Sequence, residues 1–306
     1  MILLKATAIV LTNFVKIFLE VRFVMINPKD LFQLCESIPT KDTEQLEQYA
    51  QDENYIGNQK FDGERAVMIK TSDKLIMLSR GGNIITYKFP DITDGISCED
   101  NFIIDGEIIS LNGDFSNLLT RALTQDRNKI KNLVNTIPVV YKVFDILSLN
   151  DKVLMNEPLR NRVEILKGFM DKNFSGNDKL EMCKYGNIKE LWNEVIEKNQ
   201  EGIIVKDLNA TYENGKRSKG WLKYKNFKET TITITSLTDN PKGVRGETDE
   251  GIKVQIAGNN ADEVKREFEN NGYATINIQY LSQSENGKFR FPSFRNVVSK
   301  LNEGLA

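Results

Sequence analysis

Histidine is absent from all 306 residues, and no other gap in the composition removes as much chemistry. A Ser-His-Asp triad, a Cys-His pair, an imidazole base and a histidine metal cluster are all excluded. Proton transfer falls to carboxylates, lysines or water. Cysteine is nearly absent as well: Cys35, Cys98 and Cys183 are too scattered for a zinc knuckle. An odd, dispersed set in a chain of this length reads as reduced intracellular thiols, and no structural zinc is expected. There is no excess of one charge, since 41 Lys and Arg face 43 Asp and Glu for a net charge of -2. A nucleic-acid partner must therefore be held by a local basic surface. Long apolar runs are missing too. MILLKATAIVLTNFVKIFLEVRFV at the amino terminus is interrupted by Lys5, Lys16, Glu20 and Arg22, short of the roughly 18 to 20 apolar residues a membrane helix needs. It has no small-residue cleavage site. Positions 1–29 are expected to be a packed or frayed extension, with a true start at Met25; an export signal and an interfacial or partner-binding helix are the other readings. No stable membrane partner is expected, and the location is expected to be cytoplasmic.

What is present suits two domains: 40% apolar residues over 306 positions can bury a real core. From Asp30 to Phe227, β-branched runs such as AVMIK (66–70), KLIMLS (74–79), FIIDGEIIS (102–110), VVYKVFDIL (139–147) and GIIVK (202–206) alternate with amphipathic stretches. Helices are expected over 115–134, over 158–170 behind a proline, and over 188–199. This predicts an α+β body built on antiparallel sheet, over 30–227. After KNFKE (225–229) the pattern changes to strands, TTITITSL, GIKVQIAG and YATINIQYLS, with ADEVKREFEN helical among them. A short five-stranded barrel with one helix is the outline of an OB-fold, expected over 228–306.

One lysine stands out chemically. In KFDGER (60–65), Lys60 precedes an acidic turn in which Gly63 permits a tight bend and Arg65 can turn back toward phosphate oxygens. A lysine with a pKa of about 10.4 is a poor nucleophile until neighbours or a metal favour its neutral form. Read alone, the hexad is also compatible with a solvated turn beside an edge strand. Supporting stretches follow: SRGGN (79–83), IIDGEII (103–109) with Glu107 in an apolar strand, YKVFDIL (141–147) with Phe144, EGIIVK (201–206) with Glu201 at a strand start, and WLKYK (221–225) with Lys223 and Lys225 on one strand face. Each has a bland alternative: paired strand-end carboxylates, a core aromatic, a solvated strand face. The segment GKRSKGWLKYKNFK (215–228) holds six Lys or Arg and no acid, interleaved with Trp221 and Tyr224. That is either a solvated hairpin or a surface for a duplex backbone, with affinity falling as salt rises.

In order and spacing, KFDGER, SRGG, DGEI, VFDIL, EGIIVK and WLKYK resemble the motifs of the covalent nucleotidyltransferase superfamily, and more closely those of the ATP-dependent DNA ligases in a minimal, virus- or phage-like form. The terminal FRFPSFR (289–295) resembles the ligase version of the OB-domain motif. The resemblance implies that Lys60 attacks the α-phosphorus of ATP and carries AMP. It implies that Lys223 and Lys225, with Mg2+ or Mn2+, neutralise the α-phosphate, and cation repulsion from them is expected to lower the pKa of Lys60. Glu107 then binds ribose hydroxyls, Phe144 stacks on adenine, and Glu201 helps hold the metal. Arg65 and Arg80 grip the 5′-phosphate of the nick or the adenylate. Asp62 contacts the nick or acts on the attacking 3′-hydroxyl, and Arg290 orients the leaving pyrophosphate. The implied partner is nicked duplex DNA, met by a monomer in replication, repair or recombination. Asn58 and Gln59 depart from the pattern, since many relatives carry an acidic residue two before the lysine. An RNA ligase, an mRNA capping guanylyltransferase and a non-catalytic OB module are the competing readings. Capping enzymes usually end this last motif with an Asp-Lys pair, RNA ligases usually lack such an OB-domain, and a non-catalytic module requires a missing catalytic position, of which none is found.

Overall fold

The computed structural model describes residues 9–11, 14–19, 22–39, 42–112, 115–150, 152–283 and 287–298. The chain divides into two compact units, Met1–Tyr224 and Lys225–Ala306.

In the first unit, β1 (Ile9–Leu11), β2 (Phe14–Leu19) and β3 (Arg22–Ile26) form an antiparallel three-stranded sheet. Residues 1–8 of the expected extension lie outside the described residues. The interfacial-helix reading of this segment is corrected, because its β-branched and aromatic content favours the extended chain. Next come β4 (Leu34–Ser37), helix α1 (Thr43–Gln51), β5 (Tyr55–Gln59), β6 (Glu64–Lys70), β7 (Leu75–Ser79), the short α2 (Pro90–Thr93) and β8 (Phe102–Ser110). The single helix expected over 115–134 is two helices, α3 (Phe115–Leu123) and α4 (Arg127–Thr136). Asp126 causes the break: its carboxylate accepts hydrogen bonds from the amides of Asn128 (2.8 Å) and Lys129 (3.3 Å), starting a new helix where a continuous one would leave the cap unused. The unit is completed by β9 (Val139–Leu149), β10 (Lys152–Val153), α5 (Leu159–Phe174), β11 (Leu180–Met182), β12 (Tyr185–Gly186), α6 (Ile188–Glu197), β13 (Gly202–Asp207) and β14 (Arg217–Lys225), whose last residue opens the second unit.

Two sheets organise this unit, one in the order β10-β9-β8-β6-β7 with β11 beside β9, the other β12-β5-β13-β14-β4. The first is buried on both faces, which is why its strands read as nearly continuous apolar runs. Ala66 and Met68 of β6 join Ile104 and Ile108 of β8 in one core, while Val67 and Ile69 point the other way. That other face meets Ile204 of β13 and Trp221 of β14, so the two sheets enclose a common apolar layer. The second sheet turns Ile203, Val205, Leu222 and Tyr224 away from this layer and onto α6. The chain crosses from the second sheet to the first between β5 and β6, and Lys60 to Gly63 are that crossing.

The second unit continues with β15 (Lys228–Ile234), β16 (Ser236–Asn240), β17 (Gly243–Glu247), β18 (Lys253–Ile256), helix α7 (Asn259–Asn271), β19 (Ala274–Tyr280), the short pair β20 (Ser282–Gln283) and β21 (Phe289–Arg290), and β22 (Ser293–Val297). Strand β15 pairs with β19 and β19 with β22, while β16 pairs with β17 and β17 with β18. Strand β18 lies beside β22 and brings the two ladders together around Ile234, Val244, Val254, Ile256, Ile276 and Ile278. Alternation of these residues with exposed polar ones is the period of half-buried strands. Among the described residues no helix is long and apolar enough to cross a membrane.

Candidate active site

The amide of Lys60 donates to the carbonyl of Gly202 at 2.8 Å, extending the ladder between β5 and β13 by one step. That step sets Lys60 opposite the start of β13, and its Nζ donates to Oε2 of Glu201 at 2.8 Å. The chain can then reach β6 only because residue 63 is glycine: a Cβ there would lie 2.2 Å from the carbonyl oxygen of Ile108 and 2.8 Å from the Glu107 side chain. On the facing sheet Arg65 of β6 pairs in register with Glu107 of β8.

Burial pulls the Lys60 pKa down, but Glu201 and Glu107 outweigh it and the net shift is upward. The expected lowering is therefore not what the nucleotide-free site shows, since carboxylate charge beside Lys60 holds its ammonium protonated. Glu107 is pushed up to about 8, mainly by burial and further by Glu201 and Asp105, against the pull of Lys60 and Arg65. The pocket thus carries one carboxyl group that lacks enough positive charge to ionise easily.

Arg65 is also corrected. Its Nε and Nη2 grip both oxygens of Asp105 at 3.1 and 2.6 Å, and Nη1 donates to the carbonyl of Gln33 at 2.6 Å. The Tyr212 hydroxyl donates to the same Asp105 at 2.7 Å. The guanidinium stands within 5.5 Å of the Phe32, Phe144 and Trp221 rings. With its donors engaged in a buried network, Arg65 fastens β6 to β8 and to the segment before β4, and is not presented to a phosphate. Arg80, by contrast, is exposed in the turn after β7, and among the described residues no side chain pairs with it.

Phe144 is buried, with the Trp221 ring edge-on at 5.8 Å and the Lys206 ammonium 4.7 Å from its centroid. Lys206 was not singled out from the sequence, although it ends the EGIIVK motif. It lies 4.1 Å over Trp221 and donates to the Tyr185 hydroxyl at 2.9 Å, and burial holds its pKa below the usual lysine value. Tyr185 in turn donates to the carbonyl of Phe144. Tyr185 and Tyr212 sit alone in segments without motif character, so nothing in the sequence marked them. Asp105 could have been found, two positions before Glu107 on the same strand face. Two buried polar atoms of this neighbourhood, Asn58 Oδ1 and Trp221 Nε1, have no hydrogen-bond partner among the described residues.

Lys223 is half-buried on β14, sharing a strand face with Trp221, and Asp62 is half-buried in the crossing. The remaining expected residues lie in the second unit. Lys225 stands over the rings of Phe227 and Phe291, and the Arg290 guanidinium stands 5.2 Å from Phe291. Among the described residues no group of three or more Cys, Asp or Glu gathers that could hold a metal ion. The coupled pair Glu107 and Glu201 fits a divalent cation in the way magnesium usually binds, with one or two carboxylates and the other positions left to water and substrate phosphates.

A solved structure of a Lig E DNA ligase shares this fold with a TM-score of 0.63 at 17% identity, covering 87% of this chain and 98% of that one. The likeness is one of fold, a mixed α/β molecule built on sheets. Residues 32–225 match the ATP dependent DNA ligase domain, and the chain belongs to that family. It is 30% identical over 264 residues to the SPbeta prophage-derived DNA ligase-like protein LigB of Bacillus subtilis, covering 80% of this chain and 93% of that protein. The bifunctional non-homologous end joining protein LigD of the same organism is 28% identical, and the match spans 79% of this chain but only 43% of LigD.

Proposed function

We propose that this ATP-dependent DNA ligase seals nicks in duplex DNA with Lys60 as its nucleophile. The observation that carries the reading is the Lys60–Glu201 pair at the crossing between two sheets, beside Glu107 and the Phe144 pocket. In the first step the Lys60 amine gives its electron pair to the α-phosphorus of ATP. The bond from that phosphorus to the bridging oxygen breaks, pyrophosphate leaves with the bonding electrons, and the amine proton passes to solvent. A 5′-phosphate oxygen of the nick then takes the adenylyl group and frees Lys60. Finally the 3′-hydroxyl attacks the 5′-phosphate, losing its proton as AMP leaves.

Because the ion pair with Glu201 holds Lys60 protonated, the amine must leave Glu201 before it can attack. Mg2+ or Mn2+ held by Glu201 and Glu107 would supply charge neutralisation at the phosphates. Lys223 faces the same layer as a fixed cation for the α-phosphate, Phe144 supports the base, and the unpartnered Asn58 Oδ1 suits the amino group of adenine. Asp62 serves the sealing step, and exposed Arg80 is available to the 5′-phosphate. We assign 30–227 to the adenylation domain and 228–306 to an OB-fold. What supports the latter is the strand circuit β16-β17-β18-β22-β19-β15 with α7 between β18 and β19, the connectivity of a five-stranded barrel whose first strand is broken in two.

Labelled ATP with magnesium should mark the protein through an acid-labile bond. Lys60→Ala and Lys60→Arg should both abolish the mark, the second because guanidinium stays protonated. Labelling by GTP alone would overturn the ligase reading in favour of capping.

A further inference from the structure

Phe291 is out of place by every rule of folding. It is 59% exposed, so its ring gains little from burial. Its φ is +54°, a left-handed conformation that a bulky side chain rarely adopts. The next residue is Pro292, which pushes its predecessor toward extended backbone. Glycine at 291 would serve the fold better on each count. An outlier of this kind persists where the side chain has another use.

The ring has two charged neighbours. The Lys225 ammonium is 5.4 Å from its centroid and the Arg290 guanidinium 5.2 Å. Lys225 also lies 5.7 Å from the Phe227 ring, so one ammonium stands over two rings that are far apart in sequence. Two cations sharing one aromatic ring repel each other, and the negative faces of the ring offset that repulsion. All of these residues belong to the second unit.

We infer that Phe291 is a positioning residue that gathers Lys225 and Arg290 into one polyphosphate-binding pair on the second unit, serving the pyrophosphate-releasing step. The inference rests on the proposed nucleotidyl transfer only for its use, since the cation pair itself can be probed without any reaction. A tripolyphosphate chain carries charges on successive phosphoryl groups and is best held by cations fixed near one another. Free lysine and arginine side chains would first have to be ordered around it. The aromatic ring does that ordering in advance.

The test uses the full chain and three measurements: calorimetric binding of inorganic tripolyphosphate, ATP labelling of Lys60 as a function of ATP concentration, and closure of a pre-adenylated nick. Phe291→Gly suits the positive φ and removes the ring. It should keep or raise the melting temperature, while tripolyphosphate affinity falls about two- to tenfold, the worth of one or two exposed cation–π contacts. The KM for ATP in labelling should rise by a similar factor, with pre-adenylated closure unchanged. Phe291→Tyr keeps the ring and should restore wild-type binding and labelling. Unchanged tripolyphosphate affinity in Phe291→Gly, or a tyrosine variant as weak as the glycine one, overturns the proposal. Equal losses in labelling and closure also overturn it. A wild-type protein that binds tripolyphosphate through this pair yet takes no label from ATP would instead overturn the nucleotidyl-transfer reading and leave the binding pair standing.

Discussion

Glu107 links the stability of the protein to its chemistry. Its carboxyl titrates at about 8 in the fold against an ordinary 4.5, chiefly because it is buried. Folded protein therefore keeps a proton that the unfolded chain releases, and stability falls as pH rises from about 4.5 to about 8. The slope cannot exceed one proton, about 1.4 kcal/mol per pH unit. Lys60 acts elsewhere: its raised pKa stabilises the fold below the unfolded lysine value, and that contribution fades only above this window. Glu107→Gln should flatten the pH dependence of the nucleotide-free protein, leaving it more stable than wild type at the alkaline end. Urea titrations across the window check this, and parallel curves for the two proteins would show that Glu107 is not the buried proton. The same variant should lose ATP labelling, so a gain in stability and a loss of function arise from one carboxyl group.

Strand β14 carries two tasks on one stretch of chain. Its apolar residues Trp221, Leu222 and Tyr224 are buried, while Lys216, Arg217 and Lys219 at its entry are exposed. Among the described residues no carboxylate forms an ion pair with Lys216 or Lys219. These lysines should meet the phosphodiester backbone and release counterions on binding. Replacing both with alanine should lower nick affinity at modest salt and reduce the slope of log affinity against log salt by about one for each phosphate no longer neutralised. A slope equal to that of wild type would return this segment to the status of a solvated hairpin. The sequence makes such elements legible because β-branched runs and alternation survive without tertiary information: FIIDGEIIS forms the strand Phe102–Ser110 that its apolar run predicts. The break at Asp126 was not legible, because a cap and a helix interior differ only in where the carboxylate turns. At the site, Lys60 and Glu201 were visible through their motifs. The engagement of Arg65 with Asp105 was hidden, since a cation beside phosphate and a cation locked to a neighbouring strand look identical in one dimension.

For the whole molecule, the cations of the proposed mechanism fall in different units. Lys60, Glu201 and Glu107 lie in the first unit, whereas Arg290 lies on β21 of the second. Charge builds on departing pyrophosphate only while Lys60 is being adenylated, and neither of the later steps produces it. On the proposed mechanism, a cation used in that step alone would stabilise its transition state without burdening DNA sealing. Arg290→Ala should slow ATP labelling by roughly 2 to 4 kcal/mol, the usual consequence of losing one charge-stabilising donor. Closure of a chemically pre-adenylated nick should proceed at nearly the wild-type rate. Both rates are measured on the same preparation, so a misfolded variant reveals itself by failing in both. Equal losses in the two rates, with the melting temperature unchanged, would place Arg290 on the DNA and remove the step-specific role.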